Sequence, residues 1–324
     1  MKQLGRGAWV PLIMISMLSS CASTPDPRAQ TPPPILVSPM RVTEGPPGQI
    51  LVTDSQQGMI LALDEKNLQI LWTYDVPSAP MGIAFRSSLV FVGNSTTQNV
   101  GVYRLQGSAG GSGKTLEFQY NLGFTPAGQT GSIRIPSDIA LDQDLGLVFV
   151  MDSGERKVKV FDFRGNPIRT IPSPTDPPLL SPVAIAVDEV NKEIVVSDYG
   201  DPNGWSAPAA PARIQVYSYS GILLKQLDGG PAPPADPAAL FSRPQGLAAD
   251  GRGHIFMAES VLGQVYVFDR NSGALVKKLG EFGEGAGQLQ LPLDLFLDRK
   301  SQDLYVTNNM LKRIEVFRGA GVLP

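Results

Sequence analysis

Residues 136–171 read PSDIALDQDLGLVFVMDSGERKVKVFDFRGNPIRTI, and this stretch decides the fold. It divides into four short runs. Ile139-Ala140-Leu141 is short and small, as suits a strand beside a crowded axis. Leu147-Val148-Phe149-Val150 is apolar throughout, the pattern of a strand buried on both faces. Val158-Lys159-Val160-Phe161 alternates, and after the turn residues Arg164-Gly165-Asn166 comes Pro167-Ile168-Arg169-Thr170-Ile171.

The same pattern occurs six times, each copy starting at a proline before an apolar run: Pro39, Pro80, Pro136, Pro182, Pro244 and Pro292. An acidic or amide residue follows 14 to 16 positions later: Asp54, Asn94, Asp152, Asp198, Glu259 and Asn308. Nine positions on, five copies carry Leu63, Tyr103, Phe161, Phe268 and Phe317. The fourth reaches Tyr217 after nineteen and so holds a ten-residue insert. Four strands per repeat and six repeats predict an all-β chain folded as a six-bladed β-propeller. A solenoid of the same units would need polar capping repeats, which the sequence lacks. The sixth copy is short of a fourth strand, and residues 35–37 precede the first copy with no blade of their own. These residues are therefore expected to add to the last sheet and close the ring, giving a propeller over 35–319 and a tail over 320–324.

Pro136-Ser137-Asp138-Ile139-Ala140-Leu141-Asp142, Val150-Met151-Asp152-Ser153-Gly154 and Val158-Lys159-Val160-Phe161-Asp162 resemble an NHL repeat, and Pro244–Asp250 with Val265–Asp269 repeats the likeness. It spans about Pro39 to Phe317 and is strong in copies three to six. In copy two, Phe85-Arg86 replaces the usual apolar-Asp end of the inner strand. The resemblance implies the propeller fold; it implies function weakly, because NHL proteins include enzymes, RNA binders and scaffolds.

The start of the chain speaks to destination. Lys2 and Arg6 precede an apolar run from Ala8 to Leu18, too short to cross a bilayer, which ends in Leu18-Ser19-Ser20-Cys21. That ending resembles a bacterial lipobox, which implies removal of residues 1–20 and lipidation of Cys21. Ala22 at the next position, in place of Asp, favours the outer membrane of a two-membrane cell. Residues 21–34 are Pro-rich and polar, a tether. Without residues 1–20 the chain has 25 basic and 30 acidic residues, a net charge of −5, so it lacks the basic field that nucleic acid requires. Cys21 is the single cysteine, which fits an exported protein without disulfides.

Loop lengths distinguish the two faces. The hairpins between first and second strands are short. The links 173–181, 201–212, 228–242 and 280–291 are long and share the other face, which is the expected interaction surface. Lys157, Arg213 and Arg313 precede third strands on that face and would form a basic rim for an anionic partner. Tyr199 and Trp205 are candidate contact anchors there. Gly113-Lys114-Thr115 invites a phosphate-loop reading, but Ser108 stands where the leading glycine should be and strand-forming residues follow. The six polar anchors, one per blade, are expected to cap hairpins. Asp138 and Asp294 replace the glycine that the repeat favours, on blades opposite one another. As a pair at the channel mouth they would suit a Ca²⁺ ion, the only cofactor the sequence suggests.

Three functions follow. The favoured one is a noncatalytic scaffold that docks another cell-envelope protein and meets the membrane through its lipid alone. His254, the single histidine, lies on the opposite face, so neither a His-rich zinc site nor a Ser-His-Asp relay can be assembled on the long-loop face. The alternatives are a calcium-dependent, lactonase-like hydrolase using Asp138 and Asp294, and a surface glycan binder using Trp205 and Tyr199.

Overall fold

The computed structural model describes residues 36–76, 79–107, 114–123, 129, 131–172, 177–201, 210–229 and 240–323. The leader, Cys21, the tether, Ile35 and Trp205 lie outside the described residues. Among those described there is no helix; six antiparallel sheets stand around one axis. Blade three runs Pro136–Asp142, Leu147–Asp152, Lys157–Asp162 and Pro167–Ile171 from axis to rim. The inner strands of the other blades are Pro39–Glu44, Pro80–Arg86, Pro182–Asp188, Pro244–Ala249 and Pro292–Leu297.

Second strands are the most enclosed elements, because a blade is covered on both faces. Val148, Phe149, Val150 and Met151 are wholly buried, each contributing roughly 1.5–3 kcal/mol of apolar burial. Six apolar clusters fill the six gaps between blades. Leu51, Ile60 and Ile83 join blades one and two; Phe91, Val100 and Ile139 join two and three. Phe149, Ile185 and Tyr217 join three and four, and Val216, Leu247 and Met257 join four and five. Phe256, Val265 and Leu295 join five and six. The sixth gap, where the ring meets itself, is filled by Leu36, Val42, Ile50, Tyr305 and Ile314.

That closure corrects one expectation. The last sheet has three strands among the described residues, and Leu36–Ser38 do not pair with it. The N–H groups of Val37 and Ser38 instead donate to Asp54 Oδ2 of blade one, at 2.6 and 3.0 Å. Backbone tied to its own blade's anchor is not free to extend a neighbouring sheet. The seam is sealed by side chains: Leu36 buries in it, Asn309 donates to Pro39 O at 3.1 Å, and Val42 N–H donates to Asp294 Oδ2 at 2.9 Å. The C-terminal tail also has a place, since Ala320 is buried and Gly321 N–H donates to Gln302 O.

Every inner strand begins with a register shift just after its proline: between Pro39 and Arg41 in blade one, opposite Met151 and Asp152 in blade three, between Pro292 and Asp294 in blade six, and equivalently in the other three. A bulge re-aims the side chain beside it. Here it turns the second residue after each proline toward the axis, and that column builds the site.

Candidate functional site: the axial cup

The column reads Arg41, Gly82, Asp138, Ala184, Gly246, Asp294 around the ring. Asp138 and Asp294 both approach one residue that stands between them. Arg41 reaches across the axis, with Nε 3.6 Å from Asp138 Oδ1 and Nη1 3.4 Å from Asp294 Oδ1. Its shorter bonds go to carbonyls: Nε to Ser137 O at 3.1 Å, Nη1 to Leu293 O at 3.2 Å and Nη2 to Val183 O at 2.9 Å. One guanidinium thus ties blade one to blades three, four and six. The sequence reading missed Arg41, although the column itself carried the signal: a long cation at the position that holds Asp in two other copies.

Each carboxylate also bridges to the next blade. Asp138 Oδ2 accepts from Ile185 N–H at 3.0 Å and Oδ1 from Ile139 N–H at 2.9 Å. Asp294 makes the matching bond to Val42 across the seam. The glycines make room for them. A Cβ on Gly246 would lie 2.3 Å from Asp294 Oδ1, and one on Gly82 would lie 2.7 Å from Asp138 Cα.

All three groups are buried, and two carboxylates against one guanidinium leave one negative charge uncompensated. Burial pushes Asp294 up to about 7, the Asp138 charge adds to this, and Arg41 opposes it. Asp138 is raised too, again chiefly by burial, which outweighs Arg41 and the two backbone donors. Burial alone would lower Arg41, but the two carboxylates outweigh it and hold it charged.

Arg41 bonds to carbonyls one residue nearer the long-loop end, and this plug forms the floor of a cavity of about 410 Å³ that opens on the opposite, short-hairpin face. The walls are the inner strands, with Ala84, Ala140, Ala186 and Ala248 at equivalent positions. At the mouth, Arg86 Nη1 lies 3.3 Å from Glu44 and Nη2 3.8 Å from Glu189, while Arg299 Nη1 lies 3.7 Å from the other Glu189 oxygen. Sequence reading placed interaction on the long-loop face; the described concavity is on the other one, because short hairpins leave the axis open there.

Other candidate residues meet different fates. Arg213 is buried, paired with Asp198 at 2.9 Å and donating to Pro178 O, so it is no rim cation. Arg313 is half-buried and holds its own link through Glu315 Oε2, Glu284 O and Gly285 O. Lys157 alone of the three is exposed. Arg213 is drawn inward by its anchor Asp198, directly opposite it in the sheet, whereas Lys157 stays exposed although it faces Asp152 in the same register. Tyr199 is half-buried, with Arg243 5.0 Å over its ring and its hydroxyl bonded by Gln245 Nε2. Its hydroxyl is raised, by burial above all.

The anchors cap as expected and do a second job. Asp152 accepts from Glu155 N–H at 3.2 Å in its hairpin, and from Arg134 and Ile135 N–H on the segment entering the inner strand. Glu259 repeats this with Leu262, Ser242 and Arg243. His254 Nδ1 pairs with Asp250 Oδ2 at 2.7 Å within a first hairpin, a capping arrangement. Burial alone would raise Asp250, but the N–H groups and ring of His254 pull it below the usual carboxylate range. Residues 108–113 lie outside the described residues, and Thr115–Leu122, which follows, is a strand.

Many solved structures are similar to this chain, among them the following two. Kuenenia stuttgartiensis hydrazine synthase matches with a TM-score of 0.61 at 13% identity, over 90% of this chain and 98% of the other. A structural-genomics protein of unknown function from Bacteroides thetaiotaomicron VPI-5482 matches with a TM-score of 0.59 at 14% identity, over 88% and 70%. The shared feature is the fold. This chain is a six-bladed β-propeller. No family model and no curated protein matches its sequence.

Proposed function

We propose that this propeller is exported, anchored by lipid on Cys21 in the outer membrane, and acts as a noncatalytic module that docks another cell-envelope protein through its long-loop face. The observation that carries the reading is a patch of exposed apolar side chains on that face across blades five and six. Val261, Phe282 and Met310 are 45%, 64% and 61% exposed. They are neighbours: Gly263 packs against Phe282, whose strand Glu281–Phe282 pairs with Gln288–Leu289, and Met310 N–H donates to Gln290 O at 3.2 Å. Isolated exposed apolar residues need no explanation, but three adjoining ones on a rigid frame mark a contact surface.

The hydrolase reading has less support, because Asp138 and Asp294 already face a guanidinium and accept backbone hydrogen bonds. For a glycan site, Tyr199 is held by Gln245 and Arg243.

A photoreactive residue at position 282 or 310, expressed in cells, should give one discrete adduct with a second protein. The same residue at Leu145, exposed on the opposite face, should give none. Equal adducts at all three positions, or none at 282 and 310, would remove the docking claim. Separately, Cys21→Ala should release the chain from the membrane fraction.

A further inference from the structure

The axial cup is a second, separate surface, and its charges are arranged by depth. At the floor two carboxylates share one guanidinium, a set one positive charge short. Asp294 Oδ1 has the long 3.4 Å approach of Arg41, and Leu295 N–H also donates to this carboxylate; a carboxylate has about four acceptor positions, so it retains capacity to accept from a donor above it. At the mouth three cations, Arg86, Arg299 and Lys300, stand among three carboxylates, Glu44, Glu189 and Asp298, and Arg86 Nη1 meets Glu44 at 3.3 Å. Glu189 is shared by Arg86 and Arg299 at 3.8 and 3.7 Å, both beyond hydrogen-bonding distance, and Lys300 stands beside them. Arg299 Nη2 donates to Ala249 O at 3.1 Å, which sets its guanidinium about three residues along the inner strand from the floor, roughly 10 Å. Between floor and mouth the lining is mostly apolar, with Ala84, Ala140, Ala186 and Ala248 alongside Thr43 and Phe296.

We infer that the cup binds a small bipolar organic molecule, with a protonated amine on Asp294 and Asp138, an aliphatic spacer against the alanine walls, and a carboxylate on Arg299 and Arg86. The cavity of about 410 Å³ is within the range of small-ligand sites. With both carboxylates ionised, an incoming ammonium supplies the charge that the floor lacks. An incoming carboxylate gives the mouth guanidinia a planar partner that can be met bidentately, which Glu189, divided between two of them, is not. A spacer of about five methylenes matches the gap once a hydrogen bond is allowed at each end.

6-Aminohexanoate is the probe, titrated calorimetrically against the full mature chain, with hexanoate and hexylammonium as single-ended controls. Binding of 6-aminohexanoate at least tenfold tighter than either control is expected. Asp294→Asn should weaken it at least tenfold. Arg299→Ala, at a surface position that leaves the plug intact, should weaken it several-fold while hexylammonium is unaffected. The inference is overturned if 6-aminohexanoate binds no better than hexylammonium, if neither substitution changes its affinity, or if calcium raises the melting temperature while the amine does not. Loss of adducts at positions 282 and 310 bears only on the docking face and leaves this test standing.

Discussion

Asp294 shows how a single buried group makes stability depend on pH. Its folded value, about 7, lies above its ordinary value of 3.8, so between those pH values the folded chain holds a proton that the unfolded chain has lost. Stability from this group is fully present in acid and falls as pH rises through neutrality. Melting temperature should therefore drop between about pH 4 and pH 7, and Asp294→Asn should flatten that slope while lowering the acid-side value, because the amide cannot serve both neighbours. A slope unchanged by the substitution would show that other groups control it. Gly246 gives a steric prediction at the same scale. A methyl there meets Asp294 Oδ1 at 2.3 Å and Asp294 Cα at 2.4 Å, and part of that clash is with backbone that cannot move aside. Gly246→Ala should cost about 1–3 kcal/mol in chemical denaturation.

At the scale of elements, the anchors decide whether an inner strand enters the ring correctly. Asp152 is fully buried and satisfies three backbone N–H groups on two segments. Asp152→Ala removes the acceptor from three part-buried donors, at about 1–3 kcal/mol for each that does not find water. Denaturant titration should show a loss of several kcal/mol, larger than for Asp162→Ala, whose carboxylate caps an exposed turn. Most of this level was legible in sequence. A period-two alternation, a buried second strand and a polar anchor at near-constant spacing all follow from local geometry that each copy must satisfy. The rim cations were not legible, because Arg213 and Lys157 occupy the same column, each opposite an anchor aspartate, yet Arg213 is buried in a salt bridge and Lys157 is exposed. The apolar patch was equally hidden: exposure of Phe282 depends on how the 280–291 link folds over blade six.

For the whole molecule, six equivalent blades explain stability but not individuality, and individuality lies where the repeat is broken. Five of the six closures between blades could be read from the pattern. The sixth was misassigned, because a free apolar segment before the first copy suggested a strand, whereas the ring is drawn shut by packing around Leu36 and by the bond from Val42 to Asp294. The cup faces away from the long loops because Arg41 fills the axis at their end. One cation holding blades one, three, four and six is thus the central structural claim.

Unfolding free energies at about pH 8 for Arg41→Met and for the triple variant Arg41→Met, Asp138→Asn, Asp294→Asn test it directly. Removing the cation alone leaves two buried carboxylates uncompensated and should cost about 3–5 kcal/mol, and neutralising them as well should restore most of that loss. An Arg41→Met protein within about 0.5 kcal/mol of the parent, or a triple variant no more stable than the single one, would contradict a guanidinium at the centre of the ring.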